Sequence, residues 1–191
     1  EWQQTVYKKD YKTPDWAKGG IMYQIFPDRF NIGENPVKTF PSDRVLHIST
    51  DETPVWEPSA EGKILNNDYY GGTLKGIEEK LEYLHTLGVN ILYLNPIFEA
   101  HSNHRYNTAD YMKIDPMLGT EEDFKSLCQK AKDYKIKVIL DGVFSHTGSD
   151  SIYFNREGRY GSGGFWNDPQ GKYNGWFTVE ENGTYKSWWG I

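Results

Sequence analysis

The chain has 191 residues, of which 25% are charged, and a formal net charge of −6. This length suffices for one folded domain with its own core. The acidic balance lacks the basic footprint of a nucleic-acid-binding protein, and no apolar run approaches the roughly 20 residues that span a bilayer. The one cysteine, Cys128, excludes an internal disulfide. It leaves localisation open: a cytoplasmic location is favoured, and secretion is also compatible with the sequence.

The start of the chain is polar and irregular. Residues 1–20 form a lead-in segment with scattered aromatic side chains. Residues 21–26 are apolar enough for a first strand, which a proline ends. Residues 27–72 then contain several prolines and no sustained period, so they are predicted as a long loop. A structureless stretch of this length inside a compact domain is usually functional, and a disordered excursion is the alternative.

Two helices and two more strands follow. Residues 73–87 place leucine and isoleucine on one face, which predicts a helix, and a second strand covers 89–95. Thr120 begins a second helix, with Asp123 as its capping-box partner. The third strand, 137–143, comes at once after that helix. The alternation of strand and helix predicts an α/β fold with parallel strands.

Polar residues follow the three predicted strands and should meet at one edge of the sheet. Asp28 follows the first strand, and Asp141 and His146 follow the third. The loop 98–110 follows the second strand and is rich in groups that bond hydroxylated ligands: Asn103, His104, Tyr106 and Asp110. The spacing of His101 and His104 also allows a metal site, but a loop with so many Asn, Arg and Tyr residues favours hydrogen bonding and stacking.

The last segment, 144–191, combines many glycines with many aromatic residues and shows no helical period. It is predicted as an irregular lobe beside the site, and the chain stops without a fourth strand, as a truncated barrel would. Tyr and Trp in such loops suit sugar stacking. A carbohydrate-binding module that stacks glucan on Trp176, Trp188 and Trp189 is therefore an alternative, although such modules are usually all-β.

Four segments resemble the α-amylase superfamily of glycoside hydrolases, and most closely its neopullulanase, cyclomaltodextrinase and pullulanase-like branch. The segments are YQIFPDRF at Tyr23–Phe30, YYGGTLKGI at Tyr69–Ile77, GVNILYLNPIFEAHSNHRYNTADY at Gly88–Tyr111, and DGVFSHTG at Asp141–Gly148. The resemblance implies the N-terminal portion of a (β/α)8 TIM barrel, with strands 1–3 within 21–143. It also implies that 144–191 is a domain B-like excursion after the third strand.

The resemblance also implies a function and roles for particular residues. The expected activity is that of a retaining α-glucan hydrolase or transglycosylase acting on starch, maltodextrin or pullulan. Asp141 matches a supporting carboxylate, His146 a residue that bonds the sugar, and Tyr106 an aromatic residue that stacks under it. His104, Asn103 and Asp110 are further candidates for substrate binding. No organic cofactor, nucleic acid or membrane is implied.

Two departures from the family pattern affect these expectations. Ser145 stands where an asparagine commonly helps to bind calcium, so candidate calcium ligands remain only in a second region, at Asn31, Glu34 and Asp68. The family's nucleophile and acid/base carboxylates lie beyond this chain, which is therefore expected to be inactive without the remainder of the catalytic domain, either covalent or as a second polypeptide. A noncatalytic scaffold, like a transporter heavy-chain ectodomain, is the alternative.

Overall fold

The computed structural model describes residues 3–34, 36 and 40–186. The strands in this part of the chain are β1 (Ile21–Ile25), β2 (Val45–Leu46), β3 (Asp68–Tyr69), β4 (Val89–Leu94), β5 (Phe98–Ala100), β6 (Thr108–Ile114) and β7 (Lys137–Leu140). The helices are α1 (Leu74–Glu79), α2 (Leu81–Thr86) and α3 (Glu121–Asp133), and single 3-10 turns lie at Asp15–Ala17 and Pro27–Arg29.

The central sheet is parallel, with the strand order β1-β4-β7, as the alternation of strand and helix predicts. Tyr93 of β4 pairs with Gln24 of β1 on one side and with Ile139 of β7 on the other. β7 ends at Leu140, three residues before the predicted end of the third strand. Its apolar residues are half-buried instead of covered on both faces, because β7 is an edge strand in this sheet.

The helices cover one face of this sheet and form the core with it. Leu92 and Leu94 of β4 are fully buried there, together with Leu127 of α3. The expected helix over 73–87 is two helices, because the backbone at Lys80 departs from helical geometry, with φ −98° and ψ 5°. Leu81 and Leu84 nevertheless continue the buried stripe that α1 begins.

The predicted helix caps are confirmed. The Thr73 hydroxyl accepts a hydrogen bond from the Gly76 amide at 2.9 Å at the start of α1. At the start of α3, the Thr120 hydroxyl accepts from the Asp123 amide while the Asp123 carboxylate accepts from the Thr120 amide. Both caps satisfy amide groups that have no partner within the helix.

The connection that follows β4 differs from the prediction. The loop 98–110 is not irregular throughout, because β5 and β6 form an antiparallel hairpin with register shifts on both sides of Glu99. In the described residues of the segment 27–72, which are 27–34, 36 and 40–72, regular structure is limited to the 3-10 turn and the short parallel pair of β2 and β3.

The segment after the sheet is irregular, as expected. Its described part, 141–186, has turns and one isolated bridge between Val179 and Tyr185. Trp176 is 60% exposed and stacks on Tyr153, whereas Trp188 and Trp189 lie outside the described residues. No helix in 3–34 or 40–186 is long and apolar enough to cross a membrane.

Candidate functional site

Asp141 and Tyr106 meet at the carboxyl edge of the sheet. Asp141 directly follows β7, and its amide donates to the Leu94 carbonyl at 3.0 Å, so it continues the ladder by one residue. The Tyr106 hydroxyl donates to Asp141 Oδ2 at 3.0 Å. Burial and the adjacent Asp141 carboxylate raise the pKa of Tyr106 to about 12, which keeps the phenol neutral and able to donate. Tyr106 remains 37% exposed, so its ring is accessible to a ligand.

His146 contacts the backbone of Tyr106. Its Nε2 is 2.9 Å from the Tyr106 carbonyl oxygen, and its Nδ1 is 3.3 Å from the Ser145 hydroxyl. A proton on Nε2 makes the first contact a hydrogen bond to the carbonyl. Tyr111 holds the backbone of the His146 segment, because its hydroxyl shares its single proton between the carbonyl oxygens of Val143 and His146. Tyr106, Asp141 and His146 therefore form one connected group, as the predicted topology requires.

His104 supports this group from the loop between β5 and β6. Its Nδ1 accepts a hydrogen bond from the Tyr106 amide at 3.1 Å, and its ring stacks on the Tyr106 ring at 5.8 Å between centroids. Burial, and then the neighbouring Arg105 guanidinium, lower the pKa of His104. A neutral imidazole with its proton on Nε2 fits both observations.

Two predicted substrate-binding residues have other partners. Asp110 Oδ1 accepts from the Met112 amide at 2.9 Å and lies 3.3 Å from the Tyr153 hydroxyl. Asn103 is 8% exposed, and its amide nitrogen donates to the carbonyl of Asp68 at 3.0 Å and to its Oδ1 at 2.9 Å. Asn103 thus belongs to a buried cluster around Asp68 and not to the group around Tyr106.

Asp28 is buried in the 3-10 turn that follows β1. It is 2% exposed, and its carboxylate accepts from the amides of Tyr70 at 3.0 Å and Gly71 at 3.2 Å. Burial raises the pKa of Asp28, although these two amides and the guanidinium groups of Arg105 and Arg29 oppose the rise. Asp28 therefore anchors the end of the long 27–72 segment to the end of β1.

The predicted calcium ligands do not fit a calcium site. The Asp68 carboxylate accepts from Asn103, from His47 Nε2 at 3.0 Å and from the Val55 amide at 3.1 Å, and Arg29 lies 3.5 Å away. These are donors and a cation, whereas calcium needs open oxygen ligands.

Asn31 and Glu34 lie instead beside α1. The Asn31 amide nitrogen donates to the Gly76 carbonyl at 3.0 Å, and the Glu34 backbone amide donates to Glu79 at 3.1 Å. Across 3–34 and 40–186, no group of three or more His, Cys, Asp or Glu side chains could hold a metal ion, and this includes the surroundings of His101 and His104.

Sequence reasoning missed several residues that contact the site. Asn95 Nδ2 is 3.3 Å from the Tyr106 hydroxyl, and Gln24 Nε2 donates to Asn95 Oδ1 at 2.8 Å. Burial and the neighbouring Asp141 carboxylate raise the pKa of Tyr93. The available signal was a polar Asn between a buried strand and Pro96. Its partner Gln24 lies 71 residues away, so the contact depends on the register of β1 with β4.

The structure thus has a parallel α/β sheet with a polar candidate site at its carboxyl edge, where α/β barrels place their sites. Residues 24–188 match the Alpha-amylase family, described as "Alpha amylase, catalytic domain". The chain therefore belongs to this family, and the predicted N-terminal portion of a TIM barrel is confirmed.

Relatives and solved structures agree with this assignment. The chain is 45% identical to the amylopullulanase of Thermoanaerobacterium saccharolyticum, covering 100% of this chain and 16% of that protein. It is 38% identical to neopullulanase 2 of Thermoactinomyces vulgaris, covering 90% of this chain and 26% of that protein. The cyclic alpha-maltosyl-(1→6)-maltose hydrolase of Arthrobacter globiformis superposes with a TM-score of 0.74 and 33% identity, covering 94% of this chain and 37% of the other. The type III pullulan hydrolase of Thermococcus kodakarensis superposes with a TM-score of 0.67 and 32% identity, covering 92% of this chain and 32% of the other.

Proposed function

We propose that this chain supplies the sugar-binding part of a retaining α-glucan hydrolase, which acts on starch, maltodextrin or pullulan at α-1,4 or α-1,6 bonds, or both. The contact between Tyr106, Asp141 and His146 carries the proposal. A pyranose has apolar faces and a hydroxylated rim, so an accessible aromatic ring beside a carboxylate and an imidazole suits it. The relatives named for pullulan and cyclic maltosyl-maltose hydrolysis support this substrate class.

Each residue of this group has a distinct role in the proposal. Tyr106 stacks under the sugar at the cleaved bond, where positive charge develops as the bond breaks. Asp141 is a supporting carboxylate that holds the Tyr106 hydroxyl and contributes negative potential. His146 hydrogen-bonds a sugar hydroxyl, and His104 holds the Tyr106 backbone. Asp110 lies one contact further out, through Tyr153.

The reaction itself needs two carboxylates about 5–5.5 Å apart across the scissile bond. The resemblance assigns the nucleophile and the acid/base to later segments of the catalytic domain, so the chain acts together with that remainder. In this proposal, 1–20 is a lead-in, 21–143 is the first part of the barrel, and 144–191 is the excursion beside the site. No calcium step is included, because the partners of Asp68 do not fit a calcium ligand.

The proposal is tested by comparing the complete protein with the purified chain 1–191. Each is assayed on starch, maltodextrin and pullulan, with Asp141→Asn in the complete protein as the matched inactive control. We expect turnover by the complete protein, a loss of about 100-fold or more in the variant, and none by 1–191 alone. Turnover by the isolated chain would refute the division of roles. A folded complete protein without turnover or sugar binding would instead support the noncatalytic scaffold.

A further inference from the structure

The face of the central sheet opposite the helices carries a row of polar side chains. Alternate residues of a strand point to opposite faces, and Ile25 and Leu94 point into the core with the helices. Gln24 and Tyr93, which are paired in register, therefore point to the other face, and Asn95 follows Tyr93 by two residues. Asp141 lies beside Asn95, because Leu140 pairs with Leu94.

The side chains of Gln24, Asn95, Tyr106 and Asp141 form a chain of hydrogen bonds in which each donates to the next. Gln24 Nε2 donates to Asn95 Oδ1 at 2.8 Å, Asn95 Nδ2 donates to the Tyr106 hydroxyl at 3.3 Å, and that hydroxyl donates to Asp141 at 3.0 Å. The direction follows from chemistry. The single phenolic proton goes to the carboxylate, so the phenolic oxygen must accept from Asn95, whose oxygen then faces Gln24. Successive bonds of this kind strengthen one another.

Asn95 has the properties of a residue that acts through Tyr106. It is 8% exposed, so it presents little surface to a sugar. Its backbone amide already donates to the Ile25 carbonyl at 2.9 Å, so the side chain is not needed to complete the sheet. A buried amide is unfavourable unless it is hydrogen-bonded, and both ends of this amide are bonded to side chains of the row.

We propose that Asn95 is a positioning residue for sugar cleavage, with Gln24 as its support. By donating to the phenolic oxygen, Asn95 leaves the Tyr106 hydroxyl only one direction for its proton, toward Asp141. The ring and the carboxylate are thereby held in one relative geometry, which the developing charge on the sugar requires. This inference rests on the proposed function, because it assigns the way in which that site is held.

The test is a double-mutant cycle in the complete protein. Asn95→Leu keeps a similar volume and removes the donor, and it is made both alone and with Tyr106→Phe, which lacks the phenolic oxygen. The matched control is Asn90→Leu in the same two backgrounds. Asn90 lies near the other end of β4, where its Oδ1 accepts from the Ile21 amide at 2.7 Å. The kcat and KM for maltooligosaccharide hydrolysis are measured for all variants.

We expect Asn95→Leu to lower kcat about tenfold with Tyr106 present and by less than about twofold with Phe at that position. Asn90→Leu should have the same small effect in both backgrounds. Equal losses for Asn95→Leu in both backgrounds would overturn the proposal. If Asn95→Leu fails to fold, the same cycle with Gln24→Leu decides, because Gln24 is exposed and tolerates the change.

A crystal structure of each Leu variant gives a readout that does not depend on turnover. The Tyr106 ring should rotate or shift in Asn95→Leu and stay in place in Asn90→Leu. A wild-type protein without turnover on any α-glucan overturns the proposed function. An unmoved ring together with additive losses in an active enzyme overturns only the positioning role of Asn95.

Discussion

The Tyr106 hydroxyl donates to Asp141 Oδ2 at 3.0 Å, and this bond joins the hairpin after β4 to the end of β7. The two residues are 35 positions apart in the sequence. Asp141 directly follows β7 of the parallel sheet, whereas Tyr106 lies between β5 and β6, in the hairpin that follows β4. The bond fixes the edge of an accessible aromatic ring against a carboxylate, which is the arrangement on which the proposed sugar site depends.

Tyr106→Phe separates the hydrogen bond from the ring. A hydrogen bond to a charged group contributes about 1.5–3 kcal/mol, so we expect kcat/KM of the complete protein to fall about tenfold or more. Tyr106→Ala should in addition weaken maltooligosaccharide binding by roughly 1 kcal/mol, because the aromatic contact is lost. Steady-state kinetics and calorimetric binding measure the two effects. Tyr83→Phe, on the exposed side of α2, is the control, and an equal effect of both Phe variants would contradict the assignment.

His146→Ala tests the third member of the group. His146 is half-buried after the end of β7, so its removal should leave the melting temperature nearly unchanged. We expect kcat of the complete protein to fall about 100-fold, because a hydrogen bond to the reacting sugar is lost. His85→Ala, at the exposed end of α2, is the matched control. A lower melting temperature with unchanged activity per folded molecule would show that His146 is only structural.

The convergence of Tyr106, Asp141 and His146 is predictable from the sequence for a physical reason. Parallel strands joined by helices place all their carboxyl ends at one edge, so polar residues just beyond the strands must be neighbours. The capping pattern at Thr120 and Asp123 is equally local, because its hydrogen bonds lie within one turn of the chain.

Other features are set by long-range pairing and are not visible in a local pattern. The hairpin of β5 and β6 has irregular register around Glu99, which hides the alternation that normally reveals a strand. The partner of Asn95 depends on the register between β1 and β4, which itself shifts between Ile21 and Met22. Asp68 is a plausible calcium ligand by residue type, and only the fold shows that His47 and Arg29 face it.

His47 holds the long 27–72 segment together. Its side chain is buried, with Nδ1 at 3.1 Å from Glu52 and Nε2 at 3.0 Å from Asp68, and its ring stacks on Tyr70 at 4.3 Å. The Arg29 guanidinium also faces this cluster, 3.5 Å from the Asp68 carboxylate. Burial disfavours the imidazolium, but the hydrogen bonds to Glu52 and Asp68 outweigh it and raise the pKa of His47 above 6.5.

Because the pKa of His47 is raised in the folded state, the stabilisation that its contacts with Glu52 and Asp68 provide depends on pH. It is complete below about pH 6.5 and is lost as the pH rises through the higher folded-state pKa. In His47→Gln we expect weaker protection of the amides of 45–56 from exchange at pH 6. Between pH 6 and 9, this protection should depend less on pH than it does in the wild type. Hydrogen exchange followed by mass spectrometry measures both. The control is His85→Gln, and an unchanged pH dependence in His47→Gln would refute the role of His47.

Gly76 allows the 31–34 segment to pack against α1. A Cβ built on Gly76 would lie 1.9 Å from the Asn31 carbonyl oxygen. Alanine normally stabilises a helix relative to glycine, but here the clash should dominate, so Gly76→Ala should lower the free energy of unfolding by about 1–3 kcal/mol. Gly163→Ala is the control, because the nearest atom to its Cβ is 3.8 Å away. Urea denaturation of both variants decides, and a neutral or stabilised Gly76→Ala would contradict the packing.

Glu78 of α1 makes two ion pairs, one within α1 with Lys75 and one with Lys130, which joins α1 to α3. Its side chain is fully buried, with the amino groups of Lys75 at 2.6 Å and Lys130 at 2.7 Å. Burial disfavours the carboxylate, but the hydrogen bonds from Lys130 and Lys75 outweigh it and lower the pKa of Glu78 to about 2. Its contribution to stability is therefore present above the ordinary value of 4.5 and is lost as the pH falls toward about 2.

Glu78→Gln removes the charge and keeps the shape. We expect the free energy of unfolding at pH 7 to fall by about 1–3 kcal/mol, because two charge-assisted hydrogen bonds become weaker and two lysines lose their counter-charge. Between pH 4.5 and 2 the variant should lose less stability than the wild type, since the titrating group is absent. Glu121→Gln is the control, because it breaks only an exposed ion pair with Lys125 and should leave stability unchanged at moderate salt. Equal unfolding curves for the two variants would mean that the buried pair does not hold α1 against α3.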